Sequence, residues 1–229
     1  MFIGDFGLDT ITLAGPLAAK LRAMREAGFS QVMLAARDLV GHPDGWEAAV
    51  REVRDSGLRV TGFQVLRDFE GLSWGRTIHE YTTAWDVVQR ADCPNLGLGI
   101  DSYHIFATQT PLAAPDEVDP ARIFLVQLSD FMWHEVRTPE ERMATARTFR
   151  VFPGEGVHSE QLARLVQQLD RLGYRGDYSF EVFNDDYQQL PLPMVAARGR
   201  AAAVWLAEEV LQRARPLPGQ AAWARHNHA

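Results

Sequence analysis

Three apolar runs of the chain each end in a side chain that offers oxygen to a metal ion. The three side chains are Asp101, Gln127 and Glu181. Each run is short and continuously apolar, which is typical of a strand buried on both faces of a parallel sheet. Because the carboxyl ends of parallel strands meet at one edge of the sheet, we expect the three side chains to converge. Oxygen ligands suit hard cations, so the pattern predicts a site for Mg²⁺ or Mn²⁺.

The elements that must position these residues alternate between strand and helix patterns. Strands are predicted over 8–13, 31–35, 58–66, 96–100, 123–128 and 178–183, and helices over 16–27, 45–56, 77–91, 139–148, 159–172 and 195–213. Such alternation indicates a parallel sheet with helical crossovers. We therefore predict one α/β domain over residues 1–214. The segment 215–229, rich in proline, alanine and glycine, is expected to be a loose tail.

Composition limits the classes of partner. The 229-residue chain carries a net charge of −7 at pH 7 and has no run of basic residues, so a nucleic-acid partner is not expected. It has no apolar stretch of membrane-spanning length, and its first residues do not resemble a signal peptide. Cys93 is the only cysteine, which excludes an internal disulfide and a thiolate metal cluster. These features predict a cytoplasmic protein that acts on a small molecule.

Four segments around the strand ends together resemble a known family. They are LGLGIDSYHIFA (96–107), RIFLVQLSD (122–130), FRVFPGEG (149–156) and GYRGDYSFEVFND (173–185). In combination they are similar to the sugar-phosphate isomerase/epimerase superfamily, the xylose isomerase-like barrels. The most similar group within it is that of the 3-dehydroshikimate dehydratases. The resemblance runs from Leu8 to about Leu206 and implies a TIM-barrel-like fold.

The resemblance also implies a divalent metal held by four side chains. Asp101, Gln127 and Glu181 match three of the family's ligands, and Glu70 in the segment FEGLSWGR (69–76) matches the fourth. The ion expected is Mg²⁺ or Mn²⁺, with Co²⁺ or Zn²⁺ as alternatives. Each residue also has a purely structural interpretation: Asp101 as a cap of the next segment, Gln127 as a partner of backbone groups, and Glu70 as a surface-loop residue.

Catalytic roles follow from the same resemblance. His104, three residues after Asp101, matches a family residue near the substrate and is a candidate general acid or base. Glu70 and Glu181 are expected to exchange protons with the substrate. The alternative for His104 is a hydrogen-bonded histidine of the core.

Substrate binding is expected from three further residues. Arg67 and Arg150 follow strands or lie in the FPGEG loop, and a guanidinium can hold a carboxylate through two parallel hydrogen bonds. His42 is expected to face the site from the loop after the second strand. The alternatives are surface salt bridges for the arginines and an ordinary loop position for His42.

The chain is too short for a complete family barrel, which needs eight strands and about 250 residues. Six strands are recognisable, and about two βα units are missing near residues 67–73. We therefore predict a barrel shortened to six strands, either narrowed or open. Open edges would permit pairing with a second copy of the chain.

Three functions are consistent with these features. The first is a metal-dependent lyase that dehydrates a cyclic hydroxy-keto acid through a stabilised enolate. The second is a sugar or inosose isomerase, epimerase or dehydratase on the same metal site. The third is a shortened, non-catalytic relative that associates through its open edges.

Overall fold

The computed structural model describes residues 3–64, 73–74, 80–111 and 118–213. Its strands are β1 (Phe6–Asp9), β2 (Gln31–Ala35), β3 (Arg59–Gln64), β4 (Leu98–Asp101), β5 (Ile123–Leu128), β6 (Asp130–Phe131), β7 (Arg150–Val151) and β8 (Tyr178–Phe180). Six of them form a parallel sheet in the order β3-β2-β1-β8-β5-β4, and β6 and β7 form a separate antiparallel ribbon.

Helices connect the strands. They are α1 (Leu17–Glu26), α2 (Ala36–Val40), α3 (Trp46–Ser56), α4 (Tyr81–Ala91), α5 (Ser102–Ala107), α6 (Pro139–Thr148), α7 (Ser159–Leu172) and α8 (Leu192–Val204), which continues as a π-helical segment over Trp205–Val210. Short 3₁₀ turns lie at Ile3–Asp5, Thr10–Thr12, Pro120–Arg122 and Tyr187–Gln189. In the described part of the chain, no helix combines the length and apolar character that a bilayer span requires.

The sheet is an open half-barrel, which confirms the predicted α/β barrel of six strands. All five strand pairings in the sheet are parallel. Among the described residues, β3 pairs only with β2, and β4 pairs only with β5. The sheet therefore has an edge strand on either side of the place where two further βα units would fit.

The core lies between the outer face of the sheet and the helices. Phe6 and Phe180, on the adjacent strands β1 and β8, are fully buried and stack with ring centroids 5.6 Å apart. Phe152 meets Phe180 edge-on, and α7 adds four fully buried side chains, Leu162, Leu165, Val166 and Leu169. This apolar layer fixes the strands whose carboxyl ends carry the polar residues.

The first predicted strand, 8–13, differs from the structure for a local reason. β1 ends at Asp9, and the chain turns into the 3₁₀ helix of Thr10–Thr12 because the Asp9 carboxylate accepts a 3.2 Å hydrogen bond from the backbone N–H of Ile11. Further along, β8 ends at Phe180 rather than at residue 183, and the last helix begins at Leu192 rather than at residue 195.

The predicted tail, residues 215–229, lies outside the described residues, as does most of the predicted junction, residues 67–72.

Candidate functional site

The strand ends bring three predicted ligands to one edge of the sheet, which we call the mouth. Asp101 lies opposite Gln127 in the β4–β5 register, and Gln127 lies opposite Ser179, two residues before Glu181. Because side chains alternate along a strand and paired residues share a face, Asp101, Gln127 and Glu181 all project from the inner face of the half-barrel. The convergence expected from the strand patterns is therefore present in the geometry.

A single guanidinium joins the two carboxylates of this group. Nη1 of Arg150 donates to Oδ2 of Asp101 at 2.9 Å and to Oε2 of Glu181 at 3.0 Å. The Arg150 side chain is 3% exposed, and its guanidinium also lies 4.6 Å from the ring centre of Tyr103. One buried and one partly buried carboxylate thus share one buried guanidinium, which packs against the ring of Tyr103.

The two neighbouring carboxylates also affect the pKa of Arg150. Burial alone would lower the pKa of Arg150, but the charges of Asp101 and Glu181 outweigh it and raise the pKa above its ordinary value. Arg150 therefore stays protonated, and it serves as the fixed cation of the mouth.

Arg150 does not come from the six-stranded sheet. It lies on β7, opposite Phe131 of β6, and its Nε donates to the carbonyl of Ala146 at 2.9 Å. The ribbon is anchored by the fully buried Asp130, which accepts from the backbone N–H groups of Phe131 at 2.7 Å and His158 at 3.1 Å. These hydrogen bonds hold the guanidinium at a defined position over the strand ends.

His104 lies beside the charged group and is neutral at physiological pH. Burial is the main cause that lowers its pKa to about 4, and the opposing effect of Asp101 is incomplete. Its Nδ1 accepts a 3.1 Å hydrogen bond from the backbone N–H of Ser73, which places the proton on Nε2. Nε2 lies 3.6 Å from Oδ2 of Asp101, so this N–H is at the mouth.

Two contacts reach the group from the β2–β3 side of the sheet. Gln64, the last residue of β3, donates from Nε2 to Oε1 of Glu181 at 2.9 Å. The amide of Gln127 lies 3.6 Å from the sulfur of Met33 on β2. The sequence analysis did not single out Gln64, although a polar residue near the end of a predicted strand was the signal available.

Asp9 is a second residue that the sequence analysis missed. It ends β1 opposite Met33, is fully buried, and its Oδ2 has no hydrogen-bond partner among the described residues. Burial raises the pKa of Asp9 well above its ordinary value, and the nearby charge of Glu181 adds to the increase. The charge of Lys20 opposes this increase, but its amino group donates to Asp38 at 2.8 Å.

His42 lies in a different environment from the other predicted site residues. It is in the loop between α2 and α3, where its Nε2 is 3.3 Å from Oε1 of Glu52. The two residues line a cavity of about 200 Å³ whose lining includes none of Asp101, Gln127 and Glu181. The other two predicted residues at this side, Arg67 and Glu70, lie outside the described residues.

The donor types at the mouth fit a hard divalent cation. Asp101, Gln127 and Glu181 supply carboxylate and amide oxygens from neighbouring strands, and each carboxylate oxygen can accept more than one partner. Among the described residues, no group of three histidine, cysteine, aspartate or glutamate side chains forms a complete metal site. A site here would therefore depend on the amide of Gln127 and on a ligand from the remainder of the chain.

The sequence as a whole resembles proteins of a known barrel family. The model of a family described as xylose isomerase-like TIM barrel matches residues 69–209, more than half of the chain. A 3-dehydroshikimate dehydratase of Pseudomonas aeruginosa is 29% identical over 280 positions, which cover 91% of this chain and 43% of that protein. An inosose isomerase of Halalkalibacterium halodurans is 28% identical over 116 positions, covering 50% of this chain and 38% of that protein.

Solved structures extend the comparison. A xylose isomerase-like TIM barrel/4-hydroxyphenylpyruvate dioxygenase fusion protein superposes with a TM-score of 0.81 at 25% identity, covering 91% of this chain and 43% of that one. The IOLI protein, solved with a bound zinc atom, superposes with a TM-score of 0.52 at 16% identity, covering 90% of this chain and 77% of that one. The second likeness concerns the fold alone.

The alignment with the Pseudomonas aeruginosa protein also gives the size of the part that this chain lacks. The chain spans less than half of that relative's length. Within the matched part, the alignment has 280 positions, whereas 91% of this chain is about 208 residues. About 70 positions of the relative therefore have no counterpart here, which is the size of two βα units.

Proposed function

Because the chain belongs to the xylose isomerase-like TIM barrel family, we propose that it is a divalent-metal-dependent lyase that dehydrates a cyclic hydroxy-keto acid. The observation that carries the proposal is the Asp101–Arg150–Glu181 group, with Gln127 beside it, at the mouth of the half-barrel. The 3-dehydroshikimate dehydratase among the relatives supports the choice of substrate class.

The residues that would hold the metal are Asp101, Gln127 and Glu181, with Glu70 as the fourth ligand implied by the family resemblance. When bound, a divalent ion supplies a Lewis acid for the substrate's ketone. Mg²⁺ and Mn²⁺ suit the oxygen donors best, and the zinc atom in the IOLI protein, a relative in fold, is consistent with a divalent ion.

The chain's own residues would handle charge and protons. The Glu181 carboxylate, oriented by two donors, is the candidate base for the proton next to the ketone. The proton taken up by Glu181 would pass to the hydroxyl, which leaves as water, and the Nε2–H of His104 is a candidate hydrogen-bond donor to that hydroxyl. Arg150 supplies positive charge where negative charge would build up on the substrate, and Arg67 remains the candidate partner for the substrate's carboxylate.

The test is turnover of 3-dehydroshikimate by the purified protein with Mn²⁺ or Mg²⁺. Loss of water forms an aromatic ring, so product appears as a rise in near-ultraviolet absorbance. We expect chelation of the metal to abolish the rise and Glu181→Gln to lower kcat by at least about a hundredfold, the lower end of typical acid–base contributions. The exposed Glu160→Gln, on α7, is the matched control and should leave kcat unchanged. Absence of turnover in the metal-loaded protein would reject the proposal.

The inosose isomerase relatives favour a second candidate function, isomerisation of a cyclic polyol ketone on the same site. In that reaction, Glu181 and Glu70 would exchange protons on neighbouring carbons. Inosose and ketohexoses, incubated in deuterated water and followed by NMR, distinguish the two functions. Deuterium incorporation without loss of water would replace the first proposal by the second.

Association of two chains through the edge strands β3 and β4 is a separate proposal. Both strands have one unpaired side among the described residues, and Phe63 on β3 is 44% exposed. Light scattering tests it, because a mass equal to one chain at high concentration would count against it. A dimer of inactive protein would favour the third function, that of a non-catalytic relative.

A further inference from the structure

We infer that Gln64 is a positioning residue for Glu181, which sets the orientation of this carboxylate toward a divalent metal ion. The inference rests on the proposed function, because it takes Glu181 to be a metal ligand. It starts from the 2.9 Å hydrogen bond between the Gln64 amide and Oε1 of Glu181.

This hydrogen bond joins two strands that are far apart in the order of the sheet. β3 and β8 are separated by β2 and β1, so the two strands lie three spacings apart, or about 14 Å in a flat sheet. Two side chains can meet across that distance only because the half-barrel curves. The Gln64 amide therefore crosses the mouth and links the edge strand to a central one.

The two oxygens of Glu181 have different partners. Oε2 accepts from Arg150 at 3.0 Å, and Oε1 accepts from Gln64 at 2.9 Å. Because these donors lie on different oxygens, rotation about the last side-chain bond of Glu181 would break both hydrogen bonds. Without Gln64, the carboxylate keeps its charge partner but loses the group that fixes its plane.

Fixing a ligand in this way has a measurable consequence for metal affinity. Replacing a hydrogen-bond partner of a metal ligand typically weakens metal binding by about 10- to 100-fold. The structure offers a matched control in Gln167, a partly buried glutamine of α7 whose Nε2 donates to the carbonyl of Val210 at 3.1 Å. Among the described residues, each of these glutamines donates one amide hydrogen bond, and that of Gln64 reaches the mouth whereas that of Gln167 does not.

The experiment compares Mn²⁺ binding to the full chain and to Gln64→Met, Gln64→Asn and Gln167→Met by titration calorimetry. We expect Gln64→Met to raise the Mn²⁺ dissociation constant about 10- to 100-fold and Gln167→Met to leave it unchanged. Gln64→Asn keeps an amide that is one methylene too short and should also weaken binding, so it replaces Gln64→Met if that variant does not fold. A purely structural role would lower metal-free thermal stability without changing the dissociation constant.

The outcomes separate this inference from the proposed function. If the wild-type protein binds no Mn²⁺, or binds it equally well in Glu181→Gln, the metal site itself is rejected, and the inference falls with it. If wild-type binding depends on Glu181 but both Gln64 variants bind as tightly as the wild type, only the role of Gln64 is rejected.

Discussion

The ends of β8 and β1 carry two buried acids in contrasting surroundings, although the strands are neighbours. Glu181 follows β8 and receives hydrogen bonds from Arg150 and Gln64. Asp9 ends β1, and its Oδ2 has no hydrogen-bond partner among the described residues. A buried charge is tolerable when a cation and donors accompany it, and costly otherwise. On the β8 side of the mouth, a guanidinium at hydrogen-bond distance accompanies the acid, whereas on the β1 side burial and the charge of Glu181 outweigh the hydrogen bond from Ile11 and the charge of Lys20.

The largest effect is expected when the cation between Asp101 and Glu181 is removed. Arg150→Met leaves the buried carboxylate of Glu181 and the partly buried carboxylate of Asp101 without their cation, so we expect the free energy of unfolding to fall by about 3–5 kcal/mol. Urea unfolding at pH 7 without added metal measures this change. Arg142→Met is the control, because Arg142 donates only to the carbonyls of Val136 and Ser73 in the described contacts. Equal losses in the two variants would contradict the role assigned to Arg150.

The second prediction concerns the pH dependence of stability that the buried His104, beside Asp101, should cause. Its pKa is lowered to about 4 from the ordinary 6.5, mainly by burial, so the unfolded chain takes up the proton first as pH falls. The free energy of unfolding is therefore unaffected by His104 above pH 6.5. Between pH 6.5 and pH 4 it falls by up to about 3 kcal/mol, because the unfolded chain binds the proton more readily.

His104→Asn tests this pH dependence, because its amide oxygen can accept from Ser73 N–H as Nδ1 does. The difference in unfolding free energy between wild type and variant, measured at steps from pH 7.5 to 4, should shift in favour of the variant as pH falls. A difference that does not vary with pH would show that His104 is not held neutral.

The smallest change in stability is expected at Asp9, on the β1 side of the mouth. Asp9→Asn removes a buried charge while keeping an acceptor for Ile11 N–H, so we expect stability at pH 7 to rise by about 1–2 kcal/mol. Because the pKa of Asp9 is raised in the folded state, its cost is present above that pKa and disappears as pH falls below the value of the unfolded chain. The gain should therefore shrink on acidification.

Thermal unfolding of Asp9→Asn and of Glu181→Gln, side by side at pH 7 and pH 4, checks the third prediction. At pH 7 the melting temperature should rise in Asp9→Asn and fall in Glu181→Gln. The reason is that Glu181 has a cation at hydrogen-bond distance, whereas Asp9 has none among the described residues. A loss of stability in Asp9→Asn would mean that its carboxylate has a favourable partner.

Two strands of the half-barrel could be located accurately from sequence because each is a short, mostly apolar run. Residues 31–35 and 123–128 coincide with β2 and β5, and the predicted helices 139–148 and 159–172 coincide with α6 and α7. Helix α6 has a strong local signal, since Thr138 and Glu141 form a capping box.

The arrangement of the site depended on information that local patterns do not contain. The sequence identified Arg150 as a partner for a substrate carboxylate, whereas the structure places it against two carboxylates of the chain itself. Gln64 and Asp9 were missed for different reasons. The contact of Gln64 depends on the curvature of the sheet, and Asp9 lies inside the β-branched run 8–13, which hides the turn that begins there.

The β6–β7 ribbon decides which part of the fold sets the charge at the mouth. The carboxylates of Asp101 and Glu181 belong to the sheet and the chain just after it, whereas Arg150 belongs to a ribbon that is paired through two residue positions on each strand. The backbone N–H of Arg150 donates to the carbonyl of Phe183 at 3.0 Å, which ties the ribbon to the chain that follows β8. A substitution in the ribbon would therefore change the electric field at the mouth without altering any strand of the sheet.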